Sequence, residues 1–295
     1  MSGGLRSRAA RGDAPLVVVA PHPDDETLGC AGVIMRAAAR GRSARVVYLT
    51  YGDGYPAAAA LHAGRDEGEL VPEDYVALGR ARETQAREAA RLLGLADEQL
   101  TFLGYPDAGL APMLAVADGR PWTQPFTRRS STYGCTAPEY HAQVRGAPAP
   151  YLPEALVDDL AGIFAASRAE EIYVTDPADS HPDHRAAFEL VARAAKAASF
   201  GRTIWTYLVH TADGRWPLPR GATPAMPFER PPGPSAISWP PDERRPLARA
   251  LAARKLAAID AYSLETRLAG DYVRSFVKSE EVFWRRGIPR LPTTG

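Results

Sequence analysis

The stretch Leu16-Val17-Val18-Val19-Ala20-Pro21-His22-Pro23-Asp24-Asp25-Glu26-Thr27-Leu28-Gly29 decides the fold. Its first five residues are apolar and rich in valine with no polar alternation, which is how a strand buried on both faces reads. Proline cannot donate to a central ladder but suits the first position of a helix, so Pro23 marks the passage from strand to helix. His22, Asp24 and Asp25 then fall at the carboxyl edge of a sheet, where open α/β folds bind their ligands.

Similar apolar runs recur at Arg45 to Tyr51, Gln99 to Leu103, Glu171 to Asp176 and Thr203 to His210. Helical patterns lie between them at Glu26 to Ala39, Val76 to Leu93, Pro153 to Ser167 and Asp183 to Ser199. Strands alternating with helices of this length imply right-handed crossovers and a mostly parallel, Rossmann-like sheet flanked by helices, the α/β class. Leu247 to Leu268 and Asp271 to Arg286 read as two closing helices. Two stretches break the rhythm, 105–152 and 213–246, the second holding ten prolines, and both are expected to be irregular insertions near the functional site. Residues 1–13 read as a flexible arm, 14–288 as one domain and 289–295 as a tail.

The 295 residues are 45% hydrophobic and 24% charged, enough for one large core and too apolar for a disordered chain. Thirty-five basic residues balance thirty-five acidic ones, so no overall field would hold nucleic acid or an anionic membrane surface. No apolar run approaches the ~20 residues that span a bilayer or the ~7–15 of a signal-peptide core, so the protein is expected in the cytoplasm, where an oligomer is allowed. Cys30 and Cys135 stand alone, outside any C-x-x-C arrangement, which argues against a disulfide framework or a thiolate metal site. A metal would have to use histidine and carboxylate.

A second strand-to-helix turn repeats the first: Asp176-Pro177-Ala178-Asp179-Ser180-His181-Pro182-Asp183-His184. Two such turns meeting at one sheet edge gather three imidazoles and several carboxylates, more polar groups than the fold requires. His22, Asp25 and His184 offer two nitrogens and one oxygen, the donor set of a catalytic zinc site with a position left for water, and ferrous iron accepts the same donors. A single aspartate in a first helical turn is ordinarily a cap or a dipole partner. The recurrence of His-Pro-Asp after two buried strands, with three of the six histidines in these turns, is what points to a metal.

On these residues the sequence resembles the LmbE-like, or PIG-L, family of zinc-dependent deacetylases, which remove the acetyl group from N-acetylglucosamine units of small glycoconjugates. The matching elements are Ala20-x-His-Pro-Asp-Asp-Glu26, Arg80-x-x-Glu83, Leu103-Gly104-Tyr105-Pro106-Asp107 and His181-Pro182-Asp183-His184. The resemblance implies that His22, Asp25 and His184 hold Zn2+, that Asp24 is the general base, and that His181 stabilises or protonates the tetrahedral intermediate. It also implies that Arg80 and Asp107 contact sugar hydroxyls. The residue chemistry agrees, because hydrolysing an amide near neutral pH needs an activated water and a stabiliser for the developing oxyanion. Some relatives carry a tyrosine two residues before the second His-Pro-Asp-His, where this chain has Asp179. Tyr133 or Tyr140 is a candidate replacement, while Asp179 and Asp183 are candidates to orient a histidine ring.

Trp122, Tyr133, Tyr140, Trp205, Trp216 and Trp239 are the aromatic side chains available to stack on a sugar. The expected substrate is a small N-acetylated amino-sugar conjugate. An amidase acting on a thiol conjugate or another non-sugar amide is the alternative, and a non-catalytic carbohydrate-binding protein is a third reading. No Gly-x-Gly-x-x-Gly or phosphate-binding loop follows Val19, which argues against a nucleotide-binding domain.

Overall fold

Strand β1 (Leu16–Ala20) is buried along its whole length and alternates between two cores. Val17 and Val19 face the core shared with α4 (Leu110–Ala115), α6 (Pro153–Ser167) and α7 (Pro182–Ala197). Leu16, Val18 and Ala20 face the one shared with α1 (Asp25–Ala39), α3 (Pro72–Leu93) and α8 (Arg249–Ala261). Each fully buried valine or leucine contributes about 1.5–3 kcal/mol, so a strand hydrophobic on both faces is stable only at the centre of such a sandwich. The computed structural model describes residues 15–287 apart from 117, 203 and 233–236. The arm and tail expected at the two ends lie outside the described residues.

The seven strands run in the order β3-β2-β1-β4-β5-β7-β6. On one side β1 pairs in parallel with β2 (Ala44–Thr50), and on the other with β4 (Glu171–Thr175). Strands β3 (Leu100–Tyr105) and β5 (Ile204–Tyr207) extend the parallel ladder outward. The chain therefore winds away from β1 in both directions, and the crevice between the carboxyl ends of β1 and β4 is the switch point at which such sheets bind ligands. Both His-Pro-Asp turns leave the sheet at that crevice.

The five expected parallel strands and the four helices between them are present with small shifts at their ends. The closing segment differs. Leu247 to Leu268 is broken at Tyr262 into α8 and α9 (Ser263–Arg274), and Asp271 to Arg286 is not a helix: α9 ends and the chain returns as β7 (Glu280–Arg286), antiparallel to β5 and to β6 (Glu243–Pro246). The Glu-Glu pair that reads as a helix surface is drawn inward. Glu281 is 1% exposed, lies 3.0 Å from the buried Lys255 ammonium and accepts from the backbone N–H groups of Gly32 and Val33. Tyr262 donates to Glu26 at 2.6 Å, which pins the junction between α8 and α9. Helices α2 (Pro56–Ala63) and α5 (Tyr140–Arg145) are further elements that hydrophobic periodicity does not reveal.

The two insertions have different fates. Residues 105–152 fold back on the sheet through α4, α5 and a bridge between Ser131 and Pro150, and they supply Asp107 and Ala108 to the cleft described next. In the second, Trp216 is buried against Phe228 and Phe276, and none of its described residues lines the cleft, although Arg220 lies over the ring of Tyr272.

Candidate metal centre

The first turn has an unusual backbone. Asp24 lies at φ 122°, in the region that side chains avoid, and α1 begins only at Asp25. This twist sends consecutive carboxylates in different directions. Asp25 is 2% exposed, and its Oδ2 accepts from the His22 backbone N–H at 3.0 Å. The Asp24 carboxylate opens to the cleft with Arg82 3.7 Å away.

Asp25 Oδ2 lies 3.3 Å from His22 Nδ1 and 3.3 Å from His184 Nε2, and the two imidazole nitrogens are 3.2 Å apart. Three lone-pair donors, nearly removed from solvent, thus face one point. Donors bound at ~2.0–2.1 Å around a tetrahedral ion are spaced by about 3.3 Å, so two imidazoles and a carboxylate in this triangle fit a divalent cation with a fourth position for water. His181 lies beside them, with ring centroids 4.9 Å from His22 and 4.8 Å from His184.

The remaining ring nitrogens are held by carboxylates. His184 Nδ1 is 3.1 Å from Asp179 Oδ2, which also accepts from the backbone N–H groups of Val209 and His210, while Asp179 Oδ1 accepts from the His181 backbone N–H. His22 Nε2 is 3.0 Å from Asp107 Oδ1 and 3.6 Å from Asp183 Oδ2. Asp183 turns its other oxygen to the backbone N–H groups of Leu110 and Ala111, at the start of α4. Carboxylates in such positions fix the tautomer and orientation of ligating histidines. Asp179 and Asp183 therefore sit where the sequence suggests. Asp107 lines the cleft, but its oxygens engage His22, Ala108 and Gly54 and do not reach outward as expected of a sugar contact.

The electrostatics follow from this burial. Without a cation, burial opposes charge on His184, but Asp25 and Asp179 outweigh it and push the ring up to about 10. His22 is raised too, because Asp107 overcomes the same burial penalty. Two imidazoles that attract protons mark a place where the surrounding carboxylates call for positive charge. Burial and the adjacent Asp25 carboxylate raise Asp24 well above its ordinary value against the pull of Arg82. His181 goes the other way: burial, then the positive fields of His22 and His184, depress it to about 3. Its Nδ1 accepts from the Asp183 N–H at 3.2 Å, which leaves the Nε2–H as the donor.

Arg80 is not in the site. It is exposed on α3 and absent from the cleft lining, and Glu83, the other residue of that motif, pairs with Arg87 at 2.7 Å. The arginine of the cleft is Arg82, which is 4% exposed, donates to the carbonyls of Gly52 and Pro23 and lies 2.7 Å from Glu265. The helix repeat carries the signal: Leu78, Ala86, Ala89 and Leu93 define the buried stripe of α3, and position 82 is in phase with it whereas 80 is not.

None of Trp122, Tyr133, Tyr140, Trp205, Trp216 and Trp239 lines the cleft; Tyr55 and Tyr272 do. Tyr133 donates to Asp53 at 2.6 Å behind the cleft, so neither it nor Tyr140 replaces the tyrosine missing at position 179. His210 also lines the cleft, with its ring 5.0 Å from His184 and its Nδ1 3.0 Å from the Tyr272 hydroxyl. It follows β5 and so reaches the same sheet edge as the two turns, but no motif surrounds it. Glu265, Leu268 and Tyr272 arrive on α9, which is not adjacent to the turns in sequence.

Known proteins with a similar sequence or fold point the same way. The family model described as PIG-L, GlcNAc-PI de-N-acetylase, matches residues 17–195. The chain is 28% identical, over 78% of its own length and 69% of the relative's, to a 1D-myo-inositol 2-acetamido-2-deoxy-alpha-D-glucopyranoside deacetylase of Saccharopolyspora erythraea. It shares its fold with the N,N'-diacetylchitobiose deacetylase of Pyrococcus horikoshii, at a TM-score of 0.55, 17% identity, and coverage of 95% of this chain and 88% of that one. The fold alone does not fix the chemistry, because a 4-carboxy-2-hydroxymuconate hydratase of Pseudomonas putida superposes at a TM-score of 0.50, with 17% identity over 96% of this chain and 99% of that one. The donor triangle and the family match over more than half of the sequence do: the chain belongs to the PIG-L family and is a metal-dependent, amide-cleaving deacetylase.

Proposed function

We propose that the protein hydrolyses the acetamide of an N-acetylated amino sugar in a small glycoconjugate, releasing acetate and the free amine. The observation that carries this reading is the triangle of His22 Nδ1, Asp25 Oδ2 and His184 Nε2, with Asp24 and His181 opening on the same cleft. A divalent cation held there, zinc by its preference for this donor set and ferrous iron by the same donors, supplies an acidified water and a polarised carbonyl.

The chain's own residues do the rest. Asp24, with its raised proton affinity, takes the proton of the attacking water on its carboxylate and holds it close to the reacting carbon. His181, whose Nδ1 is occupied by the Asp183 N–H, presents Nε2–H to the amide oxygen, donating as negative charge develops there. With His181 engaged as a hydrogen-bond donor to the intermediate, the proton on Asp24 is the one delivered to the departing amine. Asp107 and Asp179 keep the rings of His22 and His184 in place through the cycle. The buried Arg82 and Glu265 form the polar floor of the cleft.

The two deacetylases named above are, by their names, deacetylases of amino-sugar compounds, which does not favour an amidase of thiol conjugates. A binding protein without catalysis would have no use for Asp24 held in a strained conformation beside a ligand. The test is acetate release by protein stripped with a chelator and reloaded with zinc or ferrous iron. The substrates are 2-acetamido-2-deoxyglucosides, N-acetylated amino acids and N-acetylated cysteine conjugates. Acetate and free amine should appear in equal amounts from the glucosides. Acetate from the non-sugar amides alone would overturn the proposal.

A further inference from the structure

The cleft has two unlike ends. At its floor the charged groups are buried and already engaged: Arg82 with Glu265 and two backbone carbonyls, Asp107 with His22 and Gly54. Apart from the reacting groups and His210, its rim is lined by Tyr55, Ala108, Leu268, Ala269 and Tyr272, with the Arg220 guanidinium 4.8 Å over the far member, the Tyr272 ring. Tyr55 is 41% exposed and Leu268 38%, and they are two of the six large hydrophobic side chains exposed among the described residues. Tyr55 immediately precedes α2, and Leu268 precedes the kink of α9 at Ala269. Helices α2 and α9 share a small core of Ala58, Ala59 and Leu264, so the rim is a firm platform rather than a loose loop.

From this arrangement we infer that the glycoside accepted by the cleft carries an apolar aglycone, alkyl or aryl, which lies on Tyr55 and Leu268. The inference rests on the deacetylase reading above and adds the substrate class. The cleft, of about 310 Å³, is at the small end of ligand pockets, so a group attached to a bound sugar must lie along the rim. A polyol aglycone lying on Tyr55 and Leu268 would leave water and meet few hydrogen-bond partners beyond the Tyr55 hydroxyl, which is costly for each buried hydroxyl. An alkyl or aryl group gains from the same surface, and the face of an aromatic ring suits Tyr55.

Two measurements test this with the full-length, metal-loaded protein. The first is kcat/KM for acetate release from the methyl, hexyl, phenyl and myo-inosityl 2-acetamido-2-deoxyglucosides. The hexyl and phenyl compounds should exceed the methyl and inosityl ones by about tenfold or more, mainly through KM. The second is independent of turnover: calorimetric Kd values of the corresponding deacetylated glucosaminides, which should fall in the same order. In the Tyr55→Ser/Leu268→Ser double variant the hexyl and phenyl advantage should disappear from both measurements. An inosityl compound that binds or reacts as well as the hexyl one overturns the inference, as does a preference that survives the double variant. If no glucoside releases acetate yet the hexyl compound still binds best, the deacetylase reading fails while the apolar platform stands.

Discussion

The two His-Pro-Asp turns have the same tripeptide and different duties, and a shift of helix start by two residues separates them. In the first turn the helix waits until Asp25, so His22, Pro23 and Asp24 form a bent connection and Asp24 takes φ 122°. There the histidine turns its Nδ1 towards Asp25 and His184, and the aspartate faces the cleft. In the second the helix begins at Pro182, and His181 becomes its N-cap at φ −72° with Nδ1 bound to the Asp183 N–H. There the histidine caps the helix with its ring beside those of His22 and His184, and the aspartate turns inward to the start of α4. The residue three places after the histidine, Asp25 or His184, supplies a donor in both. Role is thus set by the local helix phase and not by the motif itself.

The sharpest way to break this comparison is to remove each pair of equivalents. His22→Ala and His184→Ala should reduce metal content from about one equivalent to near zero and abolish activity, whereas Asp24→Ala should keep the metal and lose about 10²–10⁴ in kcat. Elemental analysis beside acetate release decides, and equal metal in all three variants would remove the distinction between the turns. The next largest effect is expected at His181: His181→Ala should retain metal and lower kcat about 10²–10³-fold, the usual loss for one oxyanion donor, with a smaller change in KM. Metal loss in that variant would make the two histidines equivalent after all.

A smaller effect tests the supporting carboxylate. Asp179→Asn should weaken metal binding about 10–100-fold, read by competition with a chelator, because His184 loses the partner that fixes its ring. The last prediction concerns pH. The metal-free His184 ring is pushed up to about 10 from an ordinary 6.5, so its charge stabilises the metal-free fold fully below about 6.5 and progressively less as pH rises through about 10. Metal requires the neutral ring, so the rise in Tm on adding metal should grow across that window in scanning calorimetry. A constant increment would speak against His184 as a ligand.

Much of this is legible in the chain itself. The valine run of β1, the Pro that follows and the repeat of the motif after β4 locate the cluster of histidines and carboxylates, because a strand buried on both faces must sit mid-sheet and its carboxyl end must open at the crevice. Arg82 is within reach of helix periodicity, and Arg80 stands out only through a short motif match. The strand at Glu280 is out of reach. Its Glu-Glu pair has helical chemistry until Lys255, 26 residues earlier in the chain, reaches Glu281 within a dry core. No local signal announces such a partner.

The sequence by itself determined the α/β class, the central strand and the two turns whose histidines and carboxylates gather at one sheet edge, since these depend on local hydrophobic pattern and on residue types that few other sites need. The tertiary structure alone decided that Asp107 serves His22, that Arg82, Glu265, His210 and Tyr272 border the cleft, and that its rim is apolar. Those outcomes arise where segments distant in the chain, α3, β5 and α9 among them, converge on one sheet edge. Pattern along a chain records which face of a segment is buried, but not which other segment will bury it.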